Sequence, residues 1–396
     1  MTSRDLSKVL RANIRSYGMY IALVVIILIF TITTHGLFIS SRNISNLLNQ
    51  AGYIAVLAVG MTLVIVIRHI DLSVGFLSGF LGAVAAISLT YWHMPVYLTI
   101  PLVLVLGCIA GLITAFPVAR LGIPSFVASL AGWLIYRGAL LLITLKSGTI
   151  KINDDIFNAI GNGYIPDILP ANSFLPGVHK LTLLLGIVAI VWMVISQIRS
   201  RKAKQAYNFE VLPPDLFVIQ IVLLSVIIGR ITWVLSGYNG MSWTVVIVLI
   251  VVGIYNFVAT RTVLGRHIYA IGGNPEAAEL SGINVKKLIF MVFGSMGLLC
   301  AVAGMLFASR LTSATTTAGT LFELDAIAAA YIGGVSAAGG VGKITGSLVG
   351  ALVYISLTSG MNLMGTDISF QYVVRGAVLA LAVIFDVATR RRRTRQ

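Results

Sequence analysis

Residues 96–116 read VYLTIPLVLVLGCIAGLITAF, an apolar run without a single charged side chain. At 1.5 Å per helical residue, about 20 such residues cross the ~30 Å hydrocarbon core of a bilayer. Working outward with the same ruler gives further candidate spans at 17–34, 52–67, 72–91, 124–145, 181–198, 216–235, 243–259, 288–308, 344–363 and 370–387. A shorter apolar stretch, 326–338, fits a broken or re-entrant helix. Hydrocarbon offers the backbone no hydrogen-bond partner, so each span can only be helical. The expected fold is all-α: a polytopic integral membrane protein of about twelve transmembrane helices, in one transmembrane domain over residues 1–396.

Composition excludes a soluble fold. Hydrophobic residues make up 58%, charged residues only 10%, and mean hydropathy is +0.97, against roughly a quarter charged in a soluble domain. The two cysteines, Cys108 and Cys300, lie in separate apolar runs and form neither a disulfide framework nor a metal-ligand spacing. The net charge of +15 would suggest nucleic acid in a soluble chain. Here the basic residues sit between spans, as membrane orientation requires, so no nucleic-acid partner is expected.

That charge sets the orientation. Basic clusters occupy Arg4 to Arg15, Arg199 to Lys204, the loop 261–287 and Arg390 to Arg395. All four face the cytoplasm if the short stretch at 326–338 counts as a crossing, which puts both termini inside. Residues 1–16 are then a cytoplasmic segment ahead of an uncleaved first helix, 146–180 an external loop, 261–287 an internal loop and 389–396 a basic cytoplasmic tail. Gly342, Gly346 and Gly350 recur every fourth residue, as do the pairs Gly75/Gly79 and Gly107/Gly111. Small residues at this spacing let helices approach closely. Static packing and the lining of moving surfaces are both open to them.

Two short segments suggest internal symmetry. In HIDLSVGFLSG, Asp71 opens a Ser/Gly-rich run with Ser73 and Gly75; in FELDAIAAAYIGG, Glu323 and Asp325 open an Ala/Gly-rich one. Their expected opposite sidedness suits inverted repeats. Equally, each Asp suits a helix N-cap beside a membrane face.

No chemistry of bond breaking has a visible home. The nearest phosphate-loop match, AAGGVGKIT at 337–345, has Ala337 where the first Gly belongs and Ile344 where Ser or Thr would bind magnesium. No nucleophile elbow, paired-His motif or Cys/His cluster is present, so neither an enzyme nor a metal site is expected. Only Arg137, Arg230 and Arg375 place charge inside a span, with snorkelling or pairing to Glu323 or Asp325 as their roles. The lack of mid-span Asp or Glu counts against an ion-coupled secondary carrier, which stays as the alternative.

Between spans lies GRHIYAIGGNPEAAELSGINVKKL, 265–288. Asn274 and Pro275 form a helix-start signal, Glu276, Ala277, Ala278, Glu279 and Leu280 a short helix, and Ser281 with Gly282 its stop. A short capped helix on a cytoplasmic loop suits a peg for another protein.

These stretches carry a resemblance. IDLSVG (70–75), YAIGGNPEAAELSGINV (269–285), ELDAIAAAYIGG (323–334) with AGGVGKITGSLVGA (338–351), and SGMNLM (359–364) resemble the monosaccharide permeases of ATP-binding-cassette importers, of the xylose or multiple-monosaccharide type. The resemblance implies a multi-pass permease of the bacterial plasma membrane that pairs as a homodimer among membrane lipids. It also implies two cytoplasmic ATP-binding subunits, which would bind the ATP and magnesium, so that this chain itself holds no cofactor. An extracytoplasmic sugar-binding protein would deliver the solute. The coupling helix of such permeases falls here on Asn274, Pro275, Glu276, Ala277, Ala278, Glu279 and Gly282. Relative to ribose-type permeases, 181–235 resembles an inserted helix pair, and Arg68 and His69 replace smaller residues, leaving their role in doubt.

Overall fold

The computed structural model describes residues 3–145, 148–168, 175–207, 211 and 213–393, with side chains described from residue 18 onward except at 216, 385 and 388–393. The helices are α1 Ser3–Thr33, α2 Ser41–Val66, α3 Val74–Thr90, α4 Val96–Leu121, α5 Ser125–Thr144, α6 Asp155–Asn162, α7 Lys180–Ala206 and α8 Pro214–Ser236. They continue with α9 Trp243–Arg261, α10 Val263–Gly273, α11 Pro275–Leu280, α12 Val285–Leu311, α13 Phe322–Ile332, α14 Ile344–Leu363 and α15 Ile368–Arg393. Strands β1 Thr149–Lys151 and β2 Ser313–Thr315 pair antiparallel, with Ile150 opposite Ala314. Among the described residues, eight helices are long and apolar enough to cross a membrane, and shorter apolar stretches occupy Gly18–Thr33, Val74–Thr90 and Ile368–Ile384.

Contacts divide the chain into two units, one of residues 1–38, 47–163 and 244–396, the other of 39–46 and 164–243. The first is built around α12, which packs on α3 and α4. Close approach depends on glycine at each crossing. A Cβ on Gly82 would lie 2.7 Å from the Gly304 carbonyl, one on Gly107 2.4 Å from that of Gly297, and one on Gly111 2.1 Å from that of Phe293. Gly346 and Gly350 play the same part for α14, where added carbons would fall 2.2 Å and 1.9 Å from the carbonyls of Gly333 and Ala329. Gly342 does not share that face. It precedes the helix, whose N-cap is the extended Lys343, and lies in a turn closed by Ser336 N–H on the Val341 carbonyl (2.9 Å).

The second unit is the hairpin of α7 and α8 with its connections. Gly186 admits Thr232 at the crossing, and the Arg201 guanidinium stacks 4.5 Å from the Phe217 ring centroid. At one end Asp167 accepts the Lys180 and Leu181 N–H groups (2.9 Å each), while His179 caps α7 through the Thr182 N–H (3.2 Å).

The stretch expected at 326–338 departs from expectation. Its helix starts earlier, at Phe322, and stops at Ile332, because Gly333, Gly334 (φ +87°) and the glycine turn at 339–340 break it. Eleven residues reach ~16 Å, half a bilayer core. The rest of the passage is irregular chain. From β2, which pairs beside the α3 C-terminal end, residues 316–321 run back along α3: Ala318 against Gly79, then Gly319 and Glu323 against Gly75.

Candidate functional site

Two places in the first unit gather the residues singled out by sequence. One is the meeting point of α3 and α13. Residues 67–73 lead into α3 with Arg68 at φ +65°, and residues 316–321 lead into α13 with Gly319 at φ +84° and Leu321 at φ +65°. The two N-termini converge on Gly75: a Cβ there would lie 2.0 Å from Glu323 Oε2 and 2.5 Å from the Gly319 carbonyl. Irregular chain inside a helical bundle, ending in helix N-termini, is the arrangement of interrupted transmembrane helices.

The acids here are not the expected caps. Ser73 occupies the N-cap of α3, and Asp71 sits two residues earlier, accepting the Ser73 N–H (2.9 Å) and hydroxyl (2.6 Å). The α13 N-cap is Leu321, so Glu323 and Asp325 fall within its first turn. All three are buried, at 2%, 5% and 6% exposure. Asp386 on α15 is buried as well and accepts from Ser336 Oγ and Ala337 N–H (3.2 Å each). The expectation that no carboxylate lies within the spans is thereby corrected. Sequence spacing placed Asp71 and Asp325 at membrane faces, whereas the helices they lead into or open, α3 and α13, begin inside the bundle. Negative groups at those helix starts complement the dipole.

Their partners come from neighbouring helices. Trp133 Nε1–H on α5 donates to Glu323 Oε1 (3.0 Å), and the Tyr354 hydroxyl on α14 donates to Asp325 Oδ1. Glu323 Oε2 is buried with no hydrogen-bond partner. Of the two roles open to the arginines, pairing with Glu323 or Asp325 does not form. Arg137 lies over the rings of Phe76 (5.2 Å) and Trp133 (5.5 Å), and Arg375 over Tyr354 (5.8 Å), so Tyr354 stands between Arg375 and Asp325. Arg230, on α8 of the second unit, is exposed.

The second place is the loop 261–287. Helix α10, within the expected internal loop 261–287, precedes the short helix and is capped by Thr262. Asn274 Oδ1 accepts the Ala277 N–H (3.1 Å) and Pro275 takes the first helical position, as expected. At the other end Gly282 N–H meets the Glu279 carbonyl (2.9 Å) and Ile283 N–H that of Ala278 (3.1 Å), with Gly282 at φ +83°. This is the Schellman geometry that favours glycine. Ala278 is buried, while Glu276, Ala277 and Glu279 are exposed. Leu280 is 90% exposed, a residue that sequence reading treated only as part of the helix.

Arg68, whose role the sequence left in doubt, ties this loop to the bundle. Its guanidinium donates to the carbonyls of Gly272 (Nε, 2.8 Å) and Gly273, where a cation also complements the α10 C-terminus. Alongside, Gly340 N–H reaches the Val66 carbonyl (2.9 Å) and the Tyr269 hydroxyl that of Gly342 (2.7 Å). Residues 66–68, 269–273 and 340–342 thus form one clamp beneath α11. Among the described residues no group of His, Cys, Asp and Glu is placed to hold a metal.

Long apolar helices packed through glycine fit a multi-pass membrane protein, and family membership makes its class that of a bacterial inner-membrane permease. The chain belongs to the family described as branched-chain amino acid transport system / permease component, whose profile matches residues 43–383. It is 41% identical to the xylose transport system permease protein XylH of Escherichia coli, over 99% of this chain and 96% of that protein. To XylH of Haemophilus influenzae it is 39% identical, over 97% and 99%. To the ribose import permease protein RbsC of the same organism it is 33% identical, over 93% and 91%. No solved structure matches the chain.

Proposed function

We propose that this chain is the membrane-spanning subunit of an ATP-driven importer of a pentose, xylose or a close relative. The observation that carries the reading is its full-length similarity to xylose transport permeases, at 41% identity. Residues 274–282 act as the coupling helix. Their capped ends, the clamp of Arg68 and the projecting Leu280 support this role, because a rigid peg transmits motion to the bundle. Cytoplasmic ATP-binding subunits hold the ATP and magnesium and grip this peg, and an extracytoplasmic sugar-binding protein delivers the solute. Two copies of the chain form the passage within the lipid, with about twelve crossings each and both termini inside. The broken passage through 316–332 counts as one of them.

Alternating access follows if nucleotide and sugar each interact differently with the inward- and outward-open states. The test is to isolate the chain in mild detergent, identify the proteins that travel with it, and measure their ATP turnover with a panel of sugars. An ATPase and a periplasmic binding protein should co-purify, with xylose giving the largest stimulation. Loss of stimulation by every pentose in the assembled complex would overturn the substrate assignment.

A further inference from the structure

The surface beside the α3–α13 junction is polar where a membrane protein facing lipid should be apolar. Residues 312–317 read TSATTT and Thr320 follows; Thr317 and Thr320 are both exposed. Their backbone is irregular, with Thr312, Gly319 and Leu321 all at positive φ, and Thr320 Oγ1 bonds the Thr317 carbonyl (2.7 Å) rather than a helix. Between the two exposed threonines, Ala318 and Gly319 are buried against Gly79 and Gly75 in the first turns of α3. At membrane depth such backbone is tolerated only inside protein or along a water-filled cavity.

Three residues on from Thr320, in the first turn of α13, stands Glu323, with Oε1 held by Trp133 and Oε2 buried without a partner. Leaving such an oxygen unsatisfied costs about 1–3 kcal/mol. Beside it lies Gly75, tight against Oε2 and with no side chain to serve as donor. Half-buried Trp133 links this carboxylate to the surface, where the exposed guanidinium of Arg137 lies over its ring. An aromatic ring, a carboxylate with a free acceptor and flanking hydroxyls together suit a polyhydroxylated solute.

We infer that Thr317, Thr320, Trp133 and Glu323 line the aqueous solute passage, with Glu323 Oε2 accepting a sugar hydroxyl when α13 shifts against α3. The solute class rests on the sugar-import reading above; the wetness of the surface does not.

Thiol labelling separates the two. In a chain carrying Cys108→Ala and Cys300→Ala, single Thr317→Cys, Thr320→Cys and Ile135→Cys variants are treated in membranes with a charged methanethiosulfonate. Ile135 is 65% exposed on α5, in an apolar stretch. Only thiolate reacts, and each unit by which apolar surroundings raise a thiol pKa removes about tenfold of it. Thr317→Cys and Thr320→Cys should therefore label at least about tenfold faster than Ile135→Cys. Should the cysteine-free chain fail to fold, the same variants in the parent, with Cys300 buried and Cys108 half-buried, give the same comparison. Labelling as slow as that of Ile135→Cys would overturn the passage, since lipid or a dry interface with a second copy would then cover this face. Xylose added to the assembled, ATP-cycling complex should slow labelling of Thr320→Cys about tenfold, whereas fast labelling indifferent to xylose in a complex that imports it would overturn the sugar contact. If wild-type complex imports no sugar, the import reading fails while rapid labelling still upholds the water-lined face.

Discussion

Among the described residues Leu280 is the most exposed large apolar side chain, on a six-residue helix between two fixed ends. Isolated apolar anchors in a polar rim carry a large share of interface energy. Leu280→Asp should lower sugar-stimulated ATP turnover by about tenfold or more, equivalent to 1.4 kcal/mol, without lowering the amount of chain in the membrane. Gly282 is the matching backbone position: at φ +83° a side chain costs about 1–2 kcal/mol. Gly282→Val should distort the helix end and uncouple turnover from sugar, while Gly273→Ala, a change with nothing within 4 Å, should leave both intact. Equal behaviour of the two variants in a reconstituted turnover assay would contradict the role given to the Schellman turn.

At the scale of elements, glycine determines which helices can touch. A Cβ on Gly111 of α4 would meet the Phe293 carbonyl at 2.1 Å, and backbone cannot yield as a side-chain tip does. Gly111→Leu should therefore destabilise the chain by about 1–3 kcal/mol or more, read as a fall in thermal midpoint in detergent, whereas Gly138→Ala should be near neutral because its Cβ meets nothing. The spacing of Gly107 and Gly111, or of Gly346 and Gly350, was legible in the sequence because a straight helix repeats every three to four residues. Gly342 was misread for the same reason: periodicity continues on paper past Lys343, where the helix does not begin. The short helix α11 was legible down to its caps, since Asn274, Pro275 and Gly282 act locally. What sequence could not show was non-local. The partners of Glu323 and Asp325 lie 190 and 29 residues away on other helices, and the Arg68 clamp joins residues 204 apart.

For the whole molecule, hydropathy located the long spans and marked 326–338 as a short or broken element, but misplaced its bounds, because a half-helix and an extended entry carry too little continuous apolar sequence to fix where the helix Phe322–Ile332 starts and stops. Buried carboxylates ahead of α3 and on α13 and α15 also remove the argument that acids are missing from the membrane. The case against an ion-coupled carrier therefore rests on family membership. Sidedness checks the arrangement: Glu279→Cys should react with an impermeant maleimide in inside-out vesicles and not in right-side-out ones. The most direct measurement is uptake by proteoliposomes holding the chain with its co-purifying ATPase and sugar-binding protein. Xylose accumulation should require ATP hydrolysis and persist after ion gradients are collapsed. Accumulation by the chain alone, driven by an imposed ion gradient without ATP, would contradict the account.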